Sequence, residues 1–362
     1  MAKCIMVGCD LHDKTMLLKI AVDRGQAVTQ GWSTGASSRR AMMADLRRRA
    51  EQAQARRMVF AFEACGFGFR LHDELTANGI EAYVLAPSKI ERSPRQRKRK
   101  TDERDAQLLL DKVRAYVLAG VEMPSVWVPD VCTRDDRELV RMRLAVAEDA
   151  AAAQTRIRWL LKRNGIESAP ANPWTGSYCT WLTGLGEHGL AEGAAAALAS
   201  LLRQVEWLWS EIERLDTQVL ALSRTERYAA LVAALSAQKG VGVLTAMVYL
   251  TEMGDLSRFA NRQQVGSFLG LVPSSFESGV ADDRKGHITR QGPARVRKVL
   301  CQSVWSRLNC LASERIAYDR IVARNPKHKK IAIVARMRAL GVTLWHKGLA
   351  VQRAAQAVAT PR

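Results

Sequence analysis

CIMVGCD, residues 4–10, is a run of small and apolar side chains closed by a carboxylate. The run suits a buried strand, so Asp10 stands where that strand ends. MVFAFE, residues 58–63, repeats the pattern and leaves Glu63 in the equivalent position. The third piece is KTDERDA, residues 100–106, in which Asp102 and Asp105 are three apart and so share a face at the start of a helix. Capping alone accounts for one acid at a strand end or in a first helical turn. Four acids converging on one place are a different matter, because they repel one another unless a cation sits between them. Hard oxygen donors of this kind select Mg²⁺, with Mn²⁺ the alternative. Asp10, Glu63, Asp102 and Asp105 are therefore the expected ligands of a phosphoryl-transfer site.

The order strand acid, strand acid, helix acid pair, with an apolar hairpin and a helix between the first two, is the arrangement of an RNase H-like domain. Just before the helical pair stand Arg95, Arg97, Lys98, Arg99 and Lys100. A run of cations beside a cluster of anions fits a nucleic-acid substrate, whose phosphates the cations hold while the acids hold a metal.

The whole composition agrees. Among 362 residues, 55 Lys and Arg face 36 Asp and Glu, a surplus of nineteen positive charges that points to polyanionic partners. The 48% hydrophobic content is that of a globular chain with room for two or three domains. No apolar stretch approaches the roughly 18 residues of a spanning helix, and the N-terminus runs straight into a strand, so a soluble intracellular protein with no membrane partner is expected. The seven cysteines contain no C-x-x-C pair, which excludes a zinc ribbon and gives no disulfide framework. The six histidines form no metal-binding motif; His12 and His287 lie near candidate chemistry, but a lone histidine is more often an ordinary polar residue.

Three segments follow from the patterning. Residues 1–129 alternate strands (near 4–10, 16–22, 26–33, 58–63 and 82–86) with helices (near 38–55, 67–78 and 101–118), the mark of an α/β sheet. Residues 130–227 are long helices: Leu198, Leu201, Val205, Leu208, Ile212, Leu215, Val219 and Leu222 step by threes and fours as an a/d seam. The seam predicts either an antiparallel hairpin or an intermolecular coiled coil, with the stretch near 169–193 as its tip or an insertion. Residues 228–362 are mainly helical. The KGVGVLT turn at 239–245 offers backbone amides to a phosphate, and a last amphipathic helix is expected to bury Ile331, Val334, Met337 and Leu340.

Within this third segment, GLVPSSFESG at 270–279 precedes the basic, glycine-punctuated RKGHITRQGPARVR at 284–297. Hydroxyls beside cations suggest phosphate chemistry. Ser278, whose neighbour Gly279 permits a tight turn, is a candidate nucleophile alongside Ser274, Ser275 and Thr289. Arg284, Lys285, His287, Arg290, Arg295 and Arg297 are the expected nucleic-acid contacts on this side. A serine hydroxyl is a poor nucleophile at neutral pH, and a carboxylate-held metal would make the scissile phosphate more reactive toward it.

The blocks GCD at 8–10, EACG at 63–66, KTDERDA at 100–106, FESG at 276–279 and GHITRQG at 286–292 resemble, in the same order, DEDD transposases of the IS110 insertion-sequence family. The resemblance covers nearly the whole chain, although Cys65 stands where the family commonly has threonine and the 169–193 stretch has no counterpart. It implies a RuvC-like metal-binding domain over 1–129, a helical hairpin or coiled coil over 130–227 and a transposase domain over 228–362 whose serine, Ser278, attacks DNA to leave a 5′-phosphoserine. It further implies donor and target DNA as substrates, a structured noncoding bridge RNA that pairs with both, a homo-oligomer built as a dimer of dimers, and a cytoplasmic, nucleoid-associated setting in a bacterium. Two other readings stay open on the residues: a RuvC-like endonuclease using water on junctions or RNA–DNA hybrids, and a non-catalytic nucleic-acid scaffold. The complete acid set argues against the scaffold.

Overall fold

The computed structural model describes residues 3–66, 68–90, 101–166, 169, 172–275 and 285–359. The chain divides into two compact units, Met1–Val128 and Pro129–Arg362.

The first unit is a five-stranded mixed sheet flanked by helices. Its elements are β1 (Cys4–Leu11), β2 (Thr15–Val22), β3 (Val28–Ser33), α1 (Ala36–Ala53), β4 (Arg57–Glu63), α2 (Gly68–Ala77), β5 (Glu81–Leu85) and α3 (Asp102–Ala119). The strand order is β3-β2-β1-β4-β5. β1 and β2 form an antiparallel hairpin extended by β3, whereas β4 and β5 join β1 in parallel. The strands alternate their side chains between two cores. Ile5, Val7, Cys9, Phe60 and Phe62 pack with Met42, Leu46, Leu71 and Leu75 of α1 and α2. Cys4, Met6, Val59 and Ala61 pack with Leu109, Leu110 and Val113 of α3 on the opposite face. This mixed α/β arrangement is compatible with the RNase H-like expectation.

Among the described residues, the second unit is helical apart from one ribbon. α4 (Val131–Arg163) and α6 (Glu192–Ser223) lie against each other, with α5 (Gly176–His188) between them in sequence. The a/d seam of α6 is met within the chain: Leu198, Val205, Leu208 and Leu215 share a core with Val146, Ala150, Ala153, Ile157 and Leu160 of α4. Arg143, in the first half of α4, bonds Asp216, near the end of α6, at 2.8 Å, as an antiparallel pair requires. Tyr178 and Leu182 of α5 close the same core.

Also described in this unit are α7 (Ala229–Ser236), α8 (Val243–Met253), α9 (Arg262–Phe268), the ribbon β6 (Pro273–Ser275) and β7 (Lys285–Ile288), and α10 (Ala294–Cys310), α11 (Ala312–Arg324) and α12 (Lys329–Ala359). Val140 and Leu144 of α4 and Val219 of α6 enter the core of these helices. In the KGVG turn Gly240 serves packing, with φ +79° and a Cβ there standing 3.0 Å from the Ser303 carbonyl of α10, whereas Gly242, the N-cap residue of α8, has open space around it. On α12 the expected face is partly corrected. Met337 and Leu340 are buried and Val334 packs at the edge, but Ile331 is exposed and Ile333 takes its place. Ile331 is six residues before Met337, about a third of a turn off that face at 3.6 residues per turn.

Candidate metal centre

Sheet register places the two strand acids together. Cys9 of β1 pairs with Phe62 of β4, so the next step along both parallel strands sets Asp10 beside Glu63. Cys9 and Phe62 belong to the core under α1 and α2, and alternation therefore puts Asp10 and Glu63 on the α3 face. The helix is held against that face by a missing side chain. A Cβ at Gly8 would lie 2.2 Å from the Leu110 amide nitrogen and 2.3 Å from the Ala106 carbonyl oxygen, so only glycine lets the backbone of α3 come so near β1. Thr101 caps α3 through its hydroxyl, which accepts from the Arg104 N–H, and Asp102 and Asp105 occupy the first turn where the helix dipole favours them.

A histidine completes the cluster. His12, in the turn between β1 and β2, brings Nε2 to 3.1 Å from Asp10 Oδ2 and 3.4 Å from Asp102 Oδ1. Among the described residues, Asp10, His12 and Asp102 offer ligand atoms all within 4.8 Å of one another. The Asp10 side chain is 13% exposed, against 44% for His12 and 62% for Asp102, so the cluster opens from a half-buried strand end to solvent. Asp105 is buried beneath it. Burial pushes the Asp10 carboxyl above the ordinary carboxylate range; His12 opposes that shift, and the nearby charges of Asp105 and Asp102 add to it. A cation lodged among these acids would relieve both the repulsion and the desolvation, so the donor set fits a divalent metal ion. Sequence spacing grouped the four acids but passed over His12, which belongs to no histidine motif.

The sequence-predicted residues of the second side are distributed differently. Arg95, Arg97, Lys98, Arg99, Lys100, Ser278 and Arg284 lie outside the described residues. The segment bearing Ser278 runs between β6 and β7, and Lys285 is the first residue of β7. The Ser274 hydroxyl donates to the His287 carbonyl at 2.9 Å, tying that alternative into the ribbon. His287, Arg290 and Arg295 are exposed, whereas Arg297 directs Nη1 at the carbonyls of Leu269, Gln291 and Gly292 and so braces the turn after the ribbon. At that turn Gly292 has φ +84°, and a Cβ would lie 1.8 Å from the Phe268 carbonyl oxygen.

Residues 7–165, which contain all four acids, match the family model of the IS110 DEDD transposases, described as a transposase. Residues 232–319, which contain Ser278, match the model described as "Transposase IS116/IS110/IS902 family". The protein y4rJ of Sinorhizobium fredii, described as a transposase, is 31% identical over 287 residues, covering 73% of this chain and 70% of the relative. The chain belongs to the IS110 family of DEDD transposases. A second S. fredii protein described as a transposase, y4qE, is 31% identical over 265 residues, 73% of this chain, and the chain spans 62% of its length. The transposase for insertion sequence element IS1533 of Leptospira borgpetersenii is 27% identical over 248 residues, covering 67% of this chain and 69% of the relative. Membership in a DEDD family implies a divalent metal ion, in agreement with the donors gathered at Asp10. No helix among the described residues is long and apolar enough to cross a membrane.

Proposed function

We propose that this IS110 transposase is a DNA recombinase that cuts and rejoins strands through a 5′-phosphoserine, with a divalent metal, Mg²⁺ or Mn²⁺, held by Asp10, Glu63, Asp102 and Asp105. The observation that carries the reading is the approach of α3 to the ends of β1 and β4, which collects acids from three elements on one face of the sheet. When bound, the metal supplies Lewis-acid polarisation of the scissile phosphate. Asp10, Glu63, Asp102 and Asp105 would hold it in place, and the cationic runs Arg95 to Lys100 and Arg284 to Arg295 would neutralise backbone phosphates and fix the strand in register.

The proposed nucleophile is Ser278. Its hydroxyl oxygen attacks phosphorus, a serine–phosphate ester forms as the bond to the 3′ oxygen breaks, and the serine proton ends on the released 3′-hydroxyl. The ester keeps the bond energy, so a 3′-hydroxyl can later attack the phosphoserine and rejoin strands without ATP. Hydrolysis would forfeit that energy. By the family resemblance, the partners are donor and target DNA and a structured noncoding bridge RNA that pairs with both, and the active assembly is a dimer of dimers in which metal and serine come from different protomers.

The test is a denaturing gel of full-length protein incubated with Mg²⁺, the element's noncoding RNA and end-labelled donor and target DNA. Label that stays on wild-type protein and is lost in both Ser278→Ala and Asp102→Asn is the expected outcome. Free cleaved DNA that persists in Ser278→Ala but not in Asp102→Asn would make the enzyme a hydrolytic nuclease instead. DNA binding that proceeds without metal, and without any cleavage, would reduce it to a scaffold.

A further inference from the structure

His12 lies outside the four-acid signature, yet its ring reaches two of the acids. A single ring nitrogen, Nε2, faces Asp10 Oδ2 at 3.1 Å and Asp102 Oδ1 at 3.4 Å. One N–H can point well at only one of two acceptors. A nitrogen crowded by two carboxylate oxygens therefore has the geometry of donors converging on a common point, and the three ligand atoms lie within 4.8 Å of one another. The histidine is also held there by the backbone. Its N–H donates to the Thr15 carbonyl at 2.9 Å, closing the β1–β2 turn. Thr34 pins the turn from β3's end, its N–H donating to the Lys14 carbonyl at 3.1 Å and its hydroxyl to the Asp13 carbonyl at 2.7 Å. With the turn fixed, the imidazole is presented to the acids with little backbone freedom left to lose.

We infer that His12 supplies an imidazole nitrogen to the metal held by Asp10 and Asp102, making the centre a mixed nitrogen and oxygen site. The inference rests on the proposed metal-binding role of the acids and adds a ligand to it. Its consequence is selectivity. Carboxylates alone suit Mg²⁺, Ca²⁺ and Mn²⁺ alike, while imidazole adds affinity for first-row transition ions and little for Mg²⁺. This centre should therefore discriminate for Mn²⁺ over Mg²⁺ more strongly than an all-carboxylate one. The other five histidines share no such cluster among the described residues.

The test uses full-length protein with Mn²⁺ alone, read by electron spin-echo envelope modulation and by calorimetric titration. Wild-type protein is expected to bind Mn²⁺ and to show imidazole ¹⁴N modulation. His12→Gln should abolish that modulation and weaken Mn²⁺ by about tenfold, while changing Mg²⁺ binding far less. Bound Mn²⁺ with no ¹⁴N modulation in wild type, or modulation that survives in His12→Gln, would overturn the role of His12 and leave the acids as ligands. Because the wild-type spectrum is decisive by itself, a variant that failed to fold would not rescue the idea. Failure of the wild-type protein to bind Mn²⁺ at all, matching Asp102→Asn, would overturn the acid centre and His12 with it.

Discussion

At the scale of single residues, the site depends as much on an absent side chain as on the acids. Gly8 sits two residues before Asp10 and lets α3 press its backbone onto β1. Gly8→Ala would drive a methyl group into the Leu110 amide and the Ala106 carbonyl, neither of which can rotate away. The helix must lift, carrying Asp102 and Asp105 with it. We expect this substitution to cost about 1–3 kcal/mol of stability, measured by urea unfolding, and to weaken divalent-metal binding although no ligand has changed. Unaltered metal affinity in Gly8→Ala would show that helix approach does not set the site. The acids were readable in the sequence because strand ends and a helix start have clear patterns. The reason for Gly8 was not, since close approach of a helix is a fact of three dimensions, and His12 had no partner spacing to advertise it.

At the scale of elements, long periodic runs were read well and short ones were not. The α6 seam spans many turns, and its partner on α4 is where an antiparallel hairpin requires it. The β6 and β7 strands are three and four residues long, too short for period-two alternation to register against the helices around them. The locks between the last helices were equally hidden. Buried Glu314 of α11 accepts hydrogen bonds from Arg307 of α10 and Arg336 of α12, joining three elements at one carboxylate. Burial pushes its pKa up, but the bonds from Arg336 and Arg307 outweigh burial and hold the carboxyl below the ordinary range. A depressed folded-state pKa means that this stabilisation is fully present above the unfolded value of about 4.3 and is lost as pH falls through the lower folded value. Glu314→Gln should destabilise the second unit by roughly 2–3 kcal/mol at pH 7, because two arginines lose their counter-charge. The difference between wild type and variant, followed by thermal unfolding, should shrink as pH is lowered through 4. A gap that stays constant with pH would remove the ion pairs from the explanation.

At the scale of the molecule, the two family matches divide as the proposed chemistry does: residues 7–165 contain the acids and residues 232–319 contain Ser278. The surplus of nineteen positive charges belongs to the chain as a whole and suits the proposed nucleic-acid partners. Charge and composition point to that class of partner, whereas the base pairing proposed to choose the DNA leaves no trace in side chains. In the proposed enzyme the acids of the first unit hold a metal independently of Ser278 in the second. The direct measurement is calorimetric titration of Mn²⁺ into full-length wild type, Asp10→Asn, Asp102→Asn and Ser278→Ala. The account predicts binding in wild type and Ser278→Ala alike, with a loss of at least about tenfold in both aspartate variants; equal binding in all four proteins would contradict it.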